Sequence, residues 1–471
     1  MKKKKNRSIF NISILFVVMF LAMISYLIYF NVKEAKYIIN NPYNKRQEVL
    51  AGRVIRGQIL SSDGEVLAET YTDDKGAEKR YYPYGPVFSH VVGYKDMGGM
   101  GVEKLNSIYM LTSTDNFFDM IVNDITGTKN QGDNIVTTLN SKLQKAAYDA
   151  LGDNRGAVIV MEPGTGKILA MVSKPDFDPN TLMDRWDEIT VEGADSVLYN
   201  RATQGLYPPG STFKLLTMLE YYRENGANTD NYSYVCDGAY ELSGHSIRCM
   251  QQTAHGKQNI YESLAHSCNC SFINMGLSTD IRHFSKTAEE LLFNSKLPIE
   301  LEYNKSSFSL NEDSDVWEIA QTSFGQGKTL VTPMHLALIT NAIACDGKVM
   351  TPYLVDRIEN CNKATVIRFR PELFDTIMTS EETKVLEKGM KMVTEQAFAW
   401  LYGDNPYSIC AKSGSAQYGT MGYEHSLFVS YAPADNPELS VTVVVEGGIG
   451  RNTSGAEVAK KIYEIYFNKN S

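Results

Sequence analysis

Between Ser8 and Val32 the chain carries no charged residue, and the stretch "SILFVVMFLAMISYLIYF" lies inside that run. An apolar segment of this length spans the hydrocarbon core of a bilayer as one helix, and few other environments accept it. Five cations, Lys2 to Lys5 and Arg7, precede it. A cleaved signal peptide has a shorter apolar region and a small-residue cleavage site, and neither is evident here. The expectation is an uncleaved, single-pass signal anchor over residues 1–33. Its basic flank stays in the cytoplasm, so all that follows lies outside the membrane. The other reading, a buried hydrophobic helix, does not explain the polybasic flank.

The remaining chain is too long for one compact core and implies at least two domains. Of its 46 basic residues five sit in the leader, which leaves 41 against 55 acidic ones for the rest. An acidic ectodomain is a poor partner for phosphate backbones, which excludes nucleic-acid binding. Outside the membrane disulfides are permitted. Among the seven cysteines, Cys236 and Cys249 bracket "CDGAYELSGHSIRC", whose glycine turn brings them together as a candidate pair. No CxxC pair with a matching second pair occurs, so spacing alone points to no metal site.

Residues 34–140 carry strand and turn signals. "GRVIRGQILSSDGEVLAET" alternates about the turn pair Asp63-Gly64, and "GDNIVTTLNSKLQKAAYDAL" predicts a strand running into an amphipathic helix. From residue 141 onward, "GAVIVM" and "KILAMVS" form a hairpin across Glu162-Pro163-Gly164-Thr165-Gly166. Helices are expected from Ser211 and near 258–276, 316–345 and 380–397. "HSLFVSYAP" and "ELSVTVVVE" are expected strands, followed by a C-terminal helix in "SGAEVAKKIYEIYF". Strands at both ends of this region with helices between them predict one antiparallel sheet built from distant segments, an α+β architecture.

Three short motifs carry chemistry. In "YPPGSTFKLL" two prolines and a glycine end any preceding helix and leave Ser211 in a new first turn, with Lys214 three residues on and on the same face. Free backbone N–H groups there favour a developing anion, and a desolvated lysine can take the serine's proton. The plain alternative is a capping serine beside a solvated lysine. The second motif is Ser267-Cys268-Asn269, able to relay a proton and hold a substrate amide. The third is Lys412-Ser413-Gly414-Ser415, where a strand glycine marks a close approach and the lysine and hydroxyls suit a carboxylate. Taken alone, the first two motifs read more readily as ordinary polar positions, and the third equally well as a solvent-facing strand end.

Ser-x-x-Lys, Ser-x-Asn and Lys-[Ser/Thr]-Gly in that order are the set of penicillin-binding proteins and class A β-lactamases. Nearly the whole chain resembles a class B penicillin-binding protein, a peptidoglycan D,D-transpeptidase. "GAVIVMEPGTGKILAMVSKPDFDPN", "LYNRATQGLYPPGSTFKLLT", "HSCNCSFINMG" and "SFGQGKTLVTPMHLALITNAIACDGKVMTPYLV" match its transpeptidase domain in order, and "RVIRGQILSSDGEVLA" and "GMGVEKLNSIY" match its pedestal. Departures are Ser413 in place of the commoner threonine, Glu162 before Pro163, a short pedestal, and Cys268 inside the second motif.

The resemblance implies a penicillin-binding/serine β-lactamase-like fold on an N-terminal anchor and a β-rich, dimerisation-like pedestal, with the catalytic domain over 141–471. It implies Ser211 as nucleophile and Lys214 as base, with Ser267 passing the proton to the leaving amine. Asn269 positions the peptide amide, while Lys412, Ser413, Gly414 and Ser415 face the terminal carboxylate. The backbone N–H groups of Ser211 and Ser415 form the oxyanion hole. Stem peptides and β-lactams are the implied ligands, and the chemistry requires neither metal nor organic cofactor. The stretch before the catalytic domain is too short for a glycosyltransferase domain, which implies a membrane partner of the SEDS glycosyltransferase family. The alternatives are a D,D-carboxypeptidase, a β-lactamase, for which no Glu-bearing loop of the class A kind is found, and a non-catalytic β-lactam sensor or scaffold.

Overall fold

A computed structural model of the chain describes residues 2–30, 45–115, 117–191, 195–418, 423–447 and 454–468. Lys2–Tyr29 is a single helix, and its segment Arg7–Tyr29 is long and apolar enough to cross a membrane. None of that span is buried against the rest of the protein.

A six-stranded sheet organises the part of the chain that opens at residue 45. Its order is Thr365–Arg368, Val355–Glu359, Asn134–Thr137, Ile59–Leu60, Val66–Thr72 and Glu78–Tyr81. The turn at Asp63-Gly64 joins Ile59–Leu60 to Val66–Thr72 as an antiparallel hairpin, as its alternation predicts. Asn134–Thr137 pairs in parallel with Ile59–Leu60 on one side and antiparallel with Val355–Glu359 on the other. Two strands of this sheet thus come from far downstream of residue 140 and tie the pedestal to the catalytic region. Beside the sheet, Glu103 is fully buried and bonded by Arg56 and Arg80 at 2.7 and 2.6 Å.

The catalytic region is built on a five-stranded antiparallel sheet in the order Cys410–Tyr418, Tyr423–Ala432, Leu439–Val445, Gly156–Glu162, Lys167–Lys174. Period-2 alternation divides its side chains between two faces. Val158, Val160, Val441 and Val443 face the helices Ser141–Leu151 and Gly455–Phe467, where Leu143, Ala147, Ile462 and Tyr463 complete one core. Ala157, Ile159, Met161 and Val444 face the other side, where the apolar helix Pro333–Ala344 and the helix Lys214–Asn225 pack. Helices thus cover both faces of the antiparallel sheet, in three layers.

Three expected helices differ in detail. The residues from Gly210 to Phe213 form a 3-10 turn, and the α-helix begins at Lys214. The stretch 258–276 is broken into Ile260–Ala265 and Asn269–Ser278, because Ser267 adopts φ 51°, a left-handed conformation no helix continues through. The stretch 316–345 is broken into Val316–Ser323 and Pro333–Ala344 by the loop holding Gly325 and Gly327, both at positive φ. Ser380–Ala397 forms as expected, capped by Thr379 with Glu382.

Candidate active site

The turn Pro208-Pro209-Gly210 delivers Ser211 to the edge of the five-stranded sheet. Gly210 has φ 54°, and its N–H donates to the Gly325 carbonyl at 2.8 Å. A Cβ on Gly325 would stand 1.7 Å from the Gly210 oxygen, so the second loop can clamp this turn only as glycine. On the opposite side, a Cβ at Gly414 would meet the Pro209 oxygen at 3.1 Å and the Thr212 nitrogen at 3.2 Å. The strand glycine of the third motif therefore marks a close approach, and what approaches is the nucleophile turn.

Lys214 is the second residue that the turn positions. Its side chain is wholly buried, with 0% exposure, at the start of a helix whose neighbours Leu215, Leu216 and Met218 are core residues. Nζ lies 3.0 Å from Ser211 Oγ, and it also contacts the Ser267 carbonyl oxygen at 2.7 Å, Asn269 Oδ1 at 2.8 Å and Ser267 Oγ at 3.2 Å. Burial lowers its pKa to about 8, against an opposing pull from the thiols of Cys268, Cys249 and Cys270. A lysine held this way has an accessible neutral form and a serine hydroxyl within reach of its lone pair.

The break at Ser267 explains the second motif. Its left-handed φ turns both its carbonyl and its hydroxyl toward Lys214. Cys268 then caps the next helix by accepting from the Ser271 N–H. Asn269 opens that helix, and while its Oδ1 accepts from Lys214 its Nδ2 donates to the Arg248 carbonyl at 3.0 Å.

Lys412 completes the cluster from Cys410–Tyr418. It is 1% exposed, and its Nζ donates to Ser267 Oγ at 3.1 Å and to the Ser413 carbonyl at 2.8 Å. Burial, and then the nearby Lys214 charge, push its pKa well below that of an ordinary lysine. Ser267 Oγ thus stands between two lysines, a placement suited to passing a proton. Ser413 and Ser415 share the other face of the strand and are half-buried, and Gln326 Nε2 holds the Ser415 carbonyl at 3.1 Å. All eight predicted site residues gather at this edge. The Gly325-Gln326-Gly327 loop lies within the stretch 316–345 expected to be helical, and its two glycines and the following Pro333 are the signals of a break there.

Cys236 and Cys249 also meet, as the glycine turn suggests, yet they are not bonded: their sulfurs are 3.7 Å apart and both are thiols. Cys268 and Cys270 lie against them in the same buried cluster, directly behind the second motif.

Residues 156–465 match the penicillin binding protein transpeptidase domain, and residues 56–135 match the penicillin binding protein A dimerisation domain. The chain belongs to the penicillin-binding protein transpeptidase family. It is similar to the peptidoglycan D,D-transpeptidase PbpA of Mycolicibacterium smegmatis, at 30% identity with 86% of this chain and 87% of that protein covered. It is 28% identical to the peptidoglycan D,D-transpeptidase MrdA of Acinetobacter baumannii over 82% of this chain and 66% of that one. Among solved structures, the ceftriaxone acyl-enzyme complex of penicillin-binding protein A from M. tuberculosis superposes with a TM-score of 0.80 at 26% identity, covering 89% of this chain and 99% of that one. A transpeptidase domain on a penicillin-binding-protein dimerisation domain is the class B arrangement, and the chain is a serine D,D-transpeptidase of cell-wall synthesis.

Proposed function

We propose that Ser211 is the acylated nucleophile of this transpeptidase and that Lys214 is its base. The observation that carries the assignment is the convergence on Lys214 Nζ of Ser211 Oγ, Ser267 O and Oγ, and Asn269 Oδ1, with Lys412 bonded to the same Ser267 hydroxyl. Neutral Lys214 takes the proton as Ser211 Oγ attacks the carbonyl carbon between the two terminal D-alanines of a stem peptide. The oxyanion is met by the backbone N–H groups of Ser211 and Ser415, which the Gly210 and Gly414 contacts bring side by side. Collapse breaks the peptide bond, and Ser267 hands the leaving amine its proton, replenished from Lys214. Lys412, Ser413 and Ser415 hold the terminal carboxylate, and Asn269 orients the peptide. The amine of a second stem peptide then attacks the acyl ester, which releases Ser211 and forms the crosslink. β-Lactams acylate the same hydroxyl.

The test is labelling with fluorescent penicillin, followed by mass spectrometry of the adducted peptide. Wild type is labelled on the peptide containing Ser211 and Ser211→Ala is not; equal labelling of both proteins would place the nucleophile elsewhere. The division of the chain at about residues 33 and 140, the outward orientation of everything beyond the anchor, and a SEDS-family glycosyltransferase partner belong to the same reading. The five cations ahead of the apolar helix support the orientation. Protease digestion of intact protoplasts should remove the catalytic region, and co-purification should recover the partner.

A further inference from the structure

Two turns from the end of the helix that Lys214 opens, the fold buries a carboxylate and leaves it unanswered. Glu220 is 1% exposed, yet neither of its carboxylate oxygens makes a hydrogen bond. It lines a cavity of about 1030 Å³ together with Glu224 and with His283 and Glu290 of the helix Ile281–Glu290. A buried carboxylate is tolerated only if it is paired, protonated or bound to a cation, and burial pushes the Glu220 carboxyl above its ordinary range. The cations of this cavity are engaged elsewhere. Arg223 holds Glu290 and Glu382, each at 2.7 Å, and Lys286 lies 3.7 Å from Glu290. Among the described residues no lysine or arginine is ion-paired with Glu220 or Glu224.

The second observation is where the two carboxylates stand. Glu220 and Glu224 are four residues apart in Lys214–Asn225, so both project from one face near its C-terminal end. Like charges at that spacing repel, and the C-terminus of a helix is the end that favours cations. Both effects oppose folding unless a positive charge sits between the carboxylates. A carboxylate oxygen of each glutamate and a ring nitrogen of His283 all lie within 4.8 Å of one another. His283 Nδ1 is 3.1 Å from Glu224 Oε1, and the Asp280 N–H donates to the same oxygen at 2.8 Å. Adjacent ligands on an octahedral ion with bonds of about 2.1 Å stand about 3.0 Å apart, so the histidine and the glutamate are already spaced as two ligands of one ion.

We propose that Glu220, Glu224 and His283 bind a divalent transition-metal ion, with water completing its coordination. The imidazole sets this site apart from the all-oxygen cages that hold Ca²⁺, and the two carboxylates suit ions such as Mn²⁺. Binding expels any proton that burial leaves on Glu220 and turns a repelling pair into two ligands of one charge. The ion fastens the end of Lys214–Asn225 to Ile281–Glu290, whose capping residue Asp280 already bonds Glu224. Nothing in this depends on the role given above to Lys214, which stands at the other end of the helix.

Mn²⁺ is the probe, because it prefers oxygen and imidazole donors to the thiols of this chain. The full-length protein in detergent, stripped with chelator and then freed of it, is titrated with Mn²⁺ while electron paramagnetic resonance counts the free ion. One ion should bind per chain with a Kd below about 1 mM, the weak end of extracellular cation sites. Glu220→Gln and His283→Ala should each weaken binding at least about tenfold. Glu290→Gln, which removes the same charge from the same cavity, should bind within about threefold of wild type. Mn²⁺ should raise the thermal midpoint of the wild type and leave that of Glu220→Gln unmoved. In chelator Glu220→Gln should be at least as stable as the wild type, since it relieves the buried pair. No bound Mn²⁺ at about 1 mM would overturn the site. An equal loss in Glu290→Gln would reduce it to diffuse attraction by acidic groups, and Ca²⁺ competing as well as Mn²⁺ would remove His283 from the ligands. A Glu220→Gln protein less stable than the wild type in chelator would show that the fold itself satisfies the carboxylate, and would overturn the reasoning that led to the ion.

Discussion

The burial of Lys214 makes a quantitative demand on how fast the protein acylates at each pH. With a pKa of about 8, about one Lys214 in eleven is neutral at pH 7, against about one in three thousand for an ordinary lysine. The fold thus raises the population of competent base about 300-fold at neutral pH. If neutral Lys214 accepts the Ser211 proton, the acylation rate constant should follow that population. It should climb about 50-fold from pH 6 to pH 8 and flatten above pH 9. The assay is stopped-flow acylation by a β-lactam whose own charge is constant over this range, under pseudo-first-order conditions. Lys214→Met removes the base together with its four contacts, and acylation should fall by about 10²–10⁴-fold. Circular dichroism must show that variant folded for the comparison to count. A rate that changes less than about threefold between pH 6 and pH 8, or a folded Lys214→Met that acylates within tenfold of wild type, would refute the assignment of Lys214 as base.

Gly325→Ala should leave secondary structure intact but cut acylation by about 10²-fold, because its Cβ would drive the Gly210 carbonyl, 1.7 Å away, and Ser211 with it; parallel acylation and circular dichroism measurements separate the two effects. Glu103→Gln leaves Arg56 and Arg80 without their buried partner and should destabilise the pedestal by about 3–5 kcal/mol in denaturant titration. Burial pushes the Glu103 carboxyl up, but the two guanidinium groups outweigh it and hold the pKa below its ordinary value of 4.5. Its contribution is therefore full above that value and lost as pH falls through the lower, folded one, so the gap between wild type and variant should close in acid. Thr332→Ala removes the side-chain acceptor for the His335 N–H at the start of Pro333–Ala344 and should cost about 1 kcal/mol, read as a lower thermal midpoint.

What the sequence discloses depends on whether the constraint is local. "GAVIVM" and "HSLFVSYAP" are readable as strands because a pleated surface repeats every two residues, and the structure places them in the sheet expected of them. That a strand at 355–359 pairs with one at 134–137 is a relation between distant segments that neither stretch encodes alone. The helix expected over 258–276 fails for a different reason. No glycine or proline marks Ser267; its backbone is turned left-handed because Lys214 must be surrounded by oxygen acceptors, and that need lies 53 residues away. The cysteines show the same effect. Cys236 and Cys249 bracket one local hairpin, whereas Cys268 and Cys270 join them only through the second catalytic motif, a meeting that no local spacing encodes. The lysine was the most local clue of all. In "STFKLLTML" it sits on the buried face among core residues, where a lysine is not tolerated unless its charge is compensated or surrendered. Four acceptors offer compensation, and the lowered pKa leaves surrender within reach, so the same burial that disfavours the ammonium form makes the amine available to Ser211.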